Sequence, residues 1–144
     1  MLLIREMTIS DYQEVISLWR RSEGMTLRDA DSKENIEAYL ARNQGLSFVA
    51  VDSNAIVGAV LAGTDGRRGY LQHLTVSLGH QSKGIGRQLV ESVVCALDRY
   101  GISKTHLFVH DSNKNAQQFY QKMGWFPRDE VRMFSYNSSL NVEV

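Results

Sequence analysis

The seven residues Gln81-Ser82-Lys83-Gly84-Ile85-Gly86-Arg87 have the types and spacing of an anion site. They open a stretch whose apolar positions, Ile85, Leu89, Val93, Ala96, Leu97 and Tyr100, recur at the spacing of one helix face. A helix is therefore expected from about Gly84 to Tyr100. Glycine inside a helix costs about 1 kcal/mol against alanine, so two of them at a helix start suggest that something approaches the backbone closely. Such a start also presents unpaired N–H groups and the positive end of the helix dipole, which together suit phosphate. Lys83 and Arg87 bring positive charge to the same end. A glycine-rich turn that binds nothing fits the local pattern equally well. Two phosphate motifs are excluded, because the chain contains neither GxxxxGK[ST] nor GxGxxG.

Other reactive side chains stand more alone. Tyr120 lies with Ala116, Phe119 and Met123 on the apolar stripe of a short helix, and packing is what that pattern gives by itself. Cys95 is the single cysteine, so it has no disulfide partner. Its mid-helix position reads as a small buried apolar residue. With four histidines and no Cys/His cluster, no metal site is expected.

The elements that must position these groups follow from periodicity and turn chemistry. Leu2 to Glu6 reads as a strand. Thr8 or Ser10 caps a helix whose buried face is Tyr12, Val15, Ile16 and Trp19, ending near Gly24. A loop over 24–32 precedes a helix over about 33–43, with Ile36, Tyr39 and Leu40 as its apolar side. Leu46 to Val51 and Ala55 to Ala62 read as a hairpin turned at Asp52-Ser53-Asn54, followed by a turn over 65–69 and a strand from Tyr70 to Val76. These three strands succeed one another without helices, so they are expected to be antiparallel. Thr105 to Val109 is a strand reached through the glycine-initiated helix, hence parallel to the Tyr70 strand by a right-handed crossover. Ser112 or Asn113 caps a helix to about Met123, Gly124 stops it, and 125–136 around Pro127 reads as two short strands.

Bulk properties bound the rest. At 144 residues one domain, 1–144, is expected, with room for a real core. Basic and acidic residues balance at 16 each, which argues against a general nucleic-acid or membrane-surface partner. A small basic patch at Arg67, Arg68, Lys83 and Arg87 remains open. No apolar run approaches the roughly 18 residues of a membrane span. The short apolar start before Arg5 and Glu6 does not resemble a signal peptide, so a cytoplasmic location is the default.

The element order is β α α β β β α β α β β. That order, the Gln-x-x-Gly-x-Gly loop after a strand ending Leu-Thr-Val, and the run Asn113-x-x-Ala116-x-x-Phe119-Tyr120-x-x-x-Gly124-Trp125 resemble the GNAT N-acetyltransferase superfamily, in particular its small bacterial single-domain members. The resemblance covers nearly the whole chain. It implies an α/β fold with a mixed central sheet of six to seven strands and helices on both faces.

The resemblance also implies acetyl-CoA as cosubstrate, without a metal, and transfer of its acetyl group to a primary amine by direct attack in a ternary complex. On that basis Gln81, Ser82, Lys83, Gly84, Ile85, Gly86 and Arg87 would hold the CoA pyrophosphate. Backbone groups of Leu74, Thr75 and Val76 would pair with the pantetheine arm, and Asn113, Ala116 and Phe119 belong to the motif helix beside the cofactor. Tyr120 matches the family's general acid, which protonates the departing thiolate; a phenol near 10 and a thiol near 8.5 are closely matched. The general base is not legible: Tyr70 and Phe108 occupy the positions where family members carry a glutamate. His73, His110 and a water chain to backbone or Asp65 remain as alternatives. The acceptor, a small molecule or a peptide amine, is unnamed by any motif, and monomer and homodimer are both open. A CoA-binding sensor or partner-binding module without turnover is the alternative function, and a structural subunit that binds nothing is the third.

Overall fold

From Ala55 to Thr64 the chain carries no ionisable side chain, and residues 56–63 are all buried. A continuous apolar run of this kind is a strand covered on both faces. In the computed structural model, which describes residues 1–144, it is the middle strand of five. The strands are β1 (Leu2–Glu6), β2 (Phe48–Asp52), β3 (Ala55–Thr64), β4 (Gly69–Val76) and β5 (Thr105–Leu107). They lie in the order β1-β2-β3-β4-β5, with the first three pairings antiparallel and β4–β5 parallel. The helices are α1 (Tyr12–Arg20), α2 (Lys33–Arg42), α3 (Ile85–Arg99) and α4 (Lys114–Lys122). The chain divides into two compact units, Met1–Leu107 and Phe108–Val144.

In the first unit the two faces of β3 take different partners. Ala59 and Leu61 pack with Val49 of β2 against Val15, Ile16 and Trp19 of α1 and Ile36 of α2. Gly58, one residue out of phase with Ala59, turns to the other face. A Cβ there would lie 3.1 Å from Leu89 Cδ1, and one at Gly69 would lie 2.6 Å from Leu97 Cδ1. These two glycines let α3 settle directly on the backbone of β3 and β4. The buried residues of α3 are Ile85, Leu89, Val90, Val93, Ala96 and Leu97. Two expectations for this helix are corrected. Cys95 is exposed, because it lies two residues, or about 200°, beyond Val93. Tyr100 lies just past the helix and is 58% exposed, its hydroxyl donating to Gln44 O at 2.7 Å.

Entry to α1 is fixed electrostatically. Arg5 donates from both terminal nitrogens to the two Asp11 oxygens at 2.9 Å, and Thr8 N–H donates to Asp11 Oδ2 at 2.9 Å. The Arg5 hydrogen bond lowers the Asp11 pKa against the opposing effect of burial.

In the second unit Asn113 Oδ1 accepts from Ala116 N–H at 3.1 Å and caps α4. Past Gly124 the chain folds back, with Trp125 N–H donating to Tyr120 O at 3.0 Å. The sheet has five strands rather than six to seven, and 125–136 forms no strand. A strand exists only where its backbone finds a ladder partner, and the backbone there makes a turn bond instead, Val131 N–H to Arg128 O at 3.2 Å. The apolar side chains of this stretch, Phe126, Val131, Met133, Phe134 and Tyr136, do not alternate and stand exposed. β5 is also shorter than expected, ending at Leu107 instead of Val109.

Leu89, fully buried against Gly58, is expected to cost about 2–5 kcal/mol when cut to alanine; a urea-unfolding loss under about 1 kcal/mol would contradict the packing described. A lowered carboxylate pKa stabilises above the unfolded value and loses its effect as pH falls through the folded one. The stability gap between wild type and Asp11→Asn should therefore be wide at neutral pH and close below about pH 4. A gap unchanged down to pH 2 would refute the coupling.

Candidate active site

β4 changes role along its length. Gly69, Tyr70 and Leu71 pair with β5, and there that ladder ends. On the other side Ala59 pairs with Thr75 while Leu61 pairs with Gln72. His73 and Leu74 therefore oppose Val60 alone, which is a β-bulge. His73 has φ +54°, a left-handed conformation that few residues other than glycine adopt. Past Leu71 no strand pairs with the β5-side edge of β4, and an edge of that kind is one an extended ligand can pair with. Leu74, Thr75 and Val76 lie on this stretch. Thr75 is 6% exposed.

The chain leaves Val76 through a 3-10 turn, Leu78–His80, and reaches α3. Gly84 is the N-cap with φ +82°, and no side chain caps the helix. The first helical bond inside α3 is Gln88 N–H to Gly84 O at 3.1 Å, so the amides of Ile85, Gly86 and Arg87 precede the ladder and keep their donors for a ligand. Gln81, Ser82, Lys83 and Gly84 are exposed. Lys83 ion-pairs with nothing in the protein. Arg87 is engaged by Glu91 at 2.8 Å, a pair of exposed side chains that leaves little net charge at that position. Gln81 has a structural partner as well: its Nε2 donates to Val76 O at 3.0 Å and ties the loop to the end of β4. The first unit thus brings together the open end of β4 and a helix start without a side-chain cap, joined by the Gln81–Val76 hydrogen bond.

The remaining expected residues share α4 in the second unit. Asn113 is the cap, and Ala116, Phe119 and Tyr120 are half-buried. Tyr120 packs edge-on to Phe119 at 5.0 Å and to Trp125 at 5.7 Å. Burial pushes its phenol up to about 12, as it does that of Tyr39 in the first unit. The alternatives for a base separate clearly. Asp65 Oδ1 accepts Arg68 N–H and Arg67 N–H at 2.9 and 2.8 Å, and those bonds lower its pKa. His110 is exposed and bonded to Ser112 Oγ at 2.8 Å. His73 is paired, Nε2 to Asp31 Oδ1 at 2.8 Å. Sequence reasoning missed that pair, since nothing in the local pattern links residues 42 positions apart. No group of three or more His, Cys, Asp and Glu side chains is placed to hold a metal, and no helix is long and apolar enough to cross a membrane.

Residues 12–136 match the family model described as an acetyltransferase (GNAT) domain. The chain belongs to the GNAT acetyltransferase family. An acetyltransferase of Sodalis glossinidius is 31% identical over 129 residues, 89% of each chain. Among solved structures, the PaiA N-acetyltransferase of Thermoplasma acidophilum in complex with coenzyme A has a TM-score of 0.77 at 23% identity, covering 85% of this chain and 88% of that one. AAC(6')-Iy, in complex with a bisubstrate analogue of CoA and acetylneamine, has a TM-score of 0.76 at 19% identity, covering 96% and 99%. As a member of this family the chain is an enzyme that transfers an acetyl group from acetyl-CoA.

A ligand that binds only the folded state adds about 2.7 kcal/mol at roughly 100 times its Kd. Acetyl-CoA should therefore raise the melting temperature, and Gly86→Val, which crowds the helix start, should shrink that shift without lowering the unliganded Tm by more than a few degrees. Equal shifts in both proteins would mean that the loop does not cradle phosphate.

Proposed function

We propose that the acceptor is a primary amine, on a small molecule or a peptide, and that it attacks the thioester directly in a ternary complex. One observation carries the reading: an uncapped, glycine-started helix N-terminus tied by Gln81 to the open end of β4 within one unit. The amides of Ile85, Gly86 and Arg87, with Gln81, Ser82, Lys83 and Gly84 around them, bind the pyrophosphate through donors and charge that the protein leaves unspent. Backbone groups of Leu74, Thr75 and Val76 align the thioester as a neighbouring strand would and polarise its carbonyl. Asn113, Ala116 and Phe119 are assigned to the cofactor side of the motif helix. The amine class is supported by the neamine-derived analogue bound to AAC(6')-Iy.

Tyr120 is assigned as the acid that protonates the leaving thiolate. Its raised pKa keeps the phenol fully loaded at neutral pH. A thiolate sheltered from water is lifted in the same direction, since desolvation disfavours every charged form. The family model spans both compact units, which supports reading residues 1–144 as one catalytic domain. A cytoplasmic location, no nucleic-acid or membrane partner, and a monomer or homodimer complete the proposal.

An unbiased acceptor screen that follows thiol release tests the amine assignment; release with none of the amines would reject it. Tyr120→Phe keeps the ring and removes the proton. Turnover is expected to fall about 10²- to 10³-fold, with acetyl-CoA affinity nearly unchanged because the loss is confined to the transition state. Full turnover in that variant would strike Tyr120 from the mechanism.

A further inference from the structure

We propose that His73, held in place by Asp31, is the general base that removes the proton from the acceptor amine. The assignment deepens the amine-transfer reading and rests on it. Three features of the first unit converge on this ring. The bulge takes His73 out of the β3–β4 ladder immediately before Leu74–Val76, the segment assigned to the thioester. Its φ of +54° is a left-handed conformation that side chains with a Cβ adopt only at a cost. Backbone strain of this kind persists where the surroundings hold it in place.

The third feature is the orientation of the imidazole. Asp31 is 9% exposed and cannot swing away: its Oδ2 accepts Arg28 N–H at 3.0 Å, and its backbone oxygen accepts the Tyr12 hydroxyl at 2.7 Å. Its Oδ1 meets His73 Nε2 at 2.8 Å. A carboxylate only accepts, so Nε2 carries the hydrogen and the Nδ1 lone pair is the basic one. Nδ1 has no partner in the protein. Trp19 meets the ring edge-on at 4.9 Å and fixes its plane. Trp19 Nε1 is itself buried without an acceptor, a second local cost in the same cluster. About a quarter of the His73 side chain stays exposed. Titratable groups at this cluster include Asp31, on the turn before α2, and Tyr12 on α1, whose phenol is raised by burial with Arg20 acting against it. β3 contributes no ionisable side chain.

The protons balance. An ammonium acceptor gives up two on becoming an amide. One passes through His73 Nδ1 to solvent and frees the nitrogen lone pair. That pair forms the C–N bond, the C–S bond breaks with its electrons on sulfur, and the sulfur takes a proton from Tyr120, which the second amine proton replaces.

The test uses the full chain with acetyl-CoA and a fixed panel of spermidine, neamine and an alanine-initiated peptide, each variant assayed on whichever wild type turns over fastest. His73→Asn keeps a residue that tolerates positive φ, and His73→Gly removes the strain altogether as a second variant read the same way. Both should lose about 10²-fold or more in kcat/KM for the amine. The acid-side fall of the wild-type pH profile should reduce to the limb set by the acceptor's own ammonium, and the acetyl-CoA thermal shift should be retained. Asp31→Asn, a change at a positioning residue, should lower kcat with little effect on KM and displace that limb without abolishing it. Unchanged turnover and an unchanged limb in both His73 variants would overturn the dyad while leaving amine transfer standing. A wild type that shows the acetyl-CoA shift but acetylates nothing on the panel would overturn amine transfer, and the dyad with it.

Discussion

The structure depends on a constraint on one strand: β4 pairs with β3 along its length, interrupted by one bulge, and with β5 only as far as Leu71. If the β4–β5 ladder ran on past Leu71, the backbone groups of Leu74–Val76 would be spent on the sheet. If the β3–β4 ladder were lost as well, nothing would hold those groups in line. The bulge at His73 and Leu74 sits where the two demands meet. It interrupts the regular alternation for one residue, lets pairing with β3 resume at Thr75, and re-aims the side chain beside it.

The place of the α3 start follows from packing on the opposite face of the same strands. Gly58 and Gly69 carry no side chain where Leu89 and Leu97 come down. α3 therefore lies against backbone, and its first turn falls at a fixed place relative to the end of β4. Gln81 closes the connection by bonding Val76 O. The donors of Ile85, Gly86 and Arg87 stay unpaired because the N-cap is a left-handed glycine with no side chain to satisfy them. α2 and α4 differ in this respect, since Ser32 and Asn113 cap them. A helix start without a side-chain cap leaves its first N–H groups open to water or to a ligand, and α1 shares that feature.

Polar groups set apart from water recur through the chain. Burial lifts both Tyr39 and Tyr120 to about 12, so a raised phenol alone does not mark a catalytic residue. Tyr120 is distinguished by its place in the motif Asn113 to Trp125 and by the family to which the chain belongs. The Asp31 carboxylate, in contrast, is almost fully buried with both oxygens hydrogen-bonded, one to Arg28 N–H and one to His73 Nε2, which is what a buried polar group requires.

The sequence by itself determined whatever is written in short-range order. The glycines at 84 and 86, the apolar spacing of α3, the continuous apolar run of β3 and the Asn113 cap are all local, and each appears where periodicity and capping rules place it. The acetyltransferase family was legible for the same reason, because its two motifs are contiguous stretches. Tertiary structure alone decided what depends on distant partners. Asp31 and His73 meet only because a turn before α2 is folded over β4. Tyr100 lies past the end of α3, and its hydroxyl finds Gln44 O, 56 residues away in the chain. Residues 125–136 had strand-like composition and no ladder to join. Periodicity reports which face of an element is apolar; it carries no information about which other element will meet that face, and a strand, a bulge or an ion pair exists only when two such elements meet.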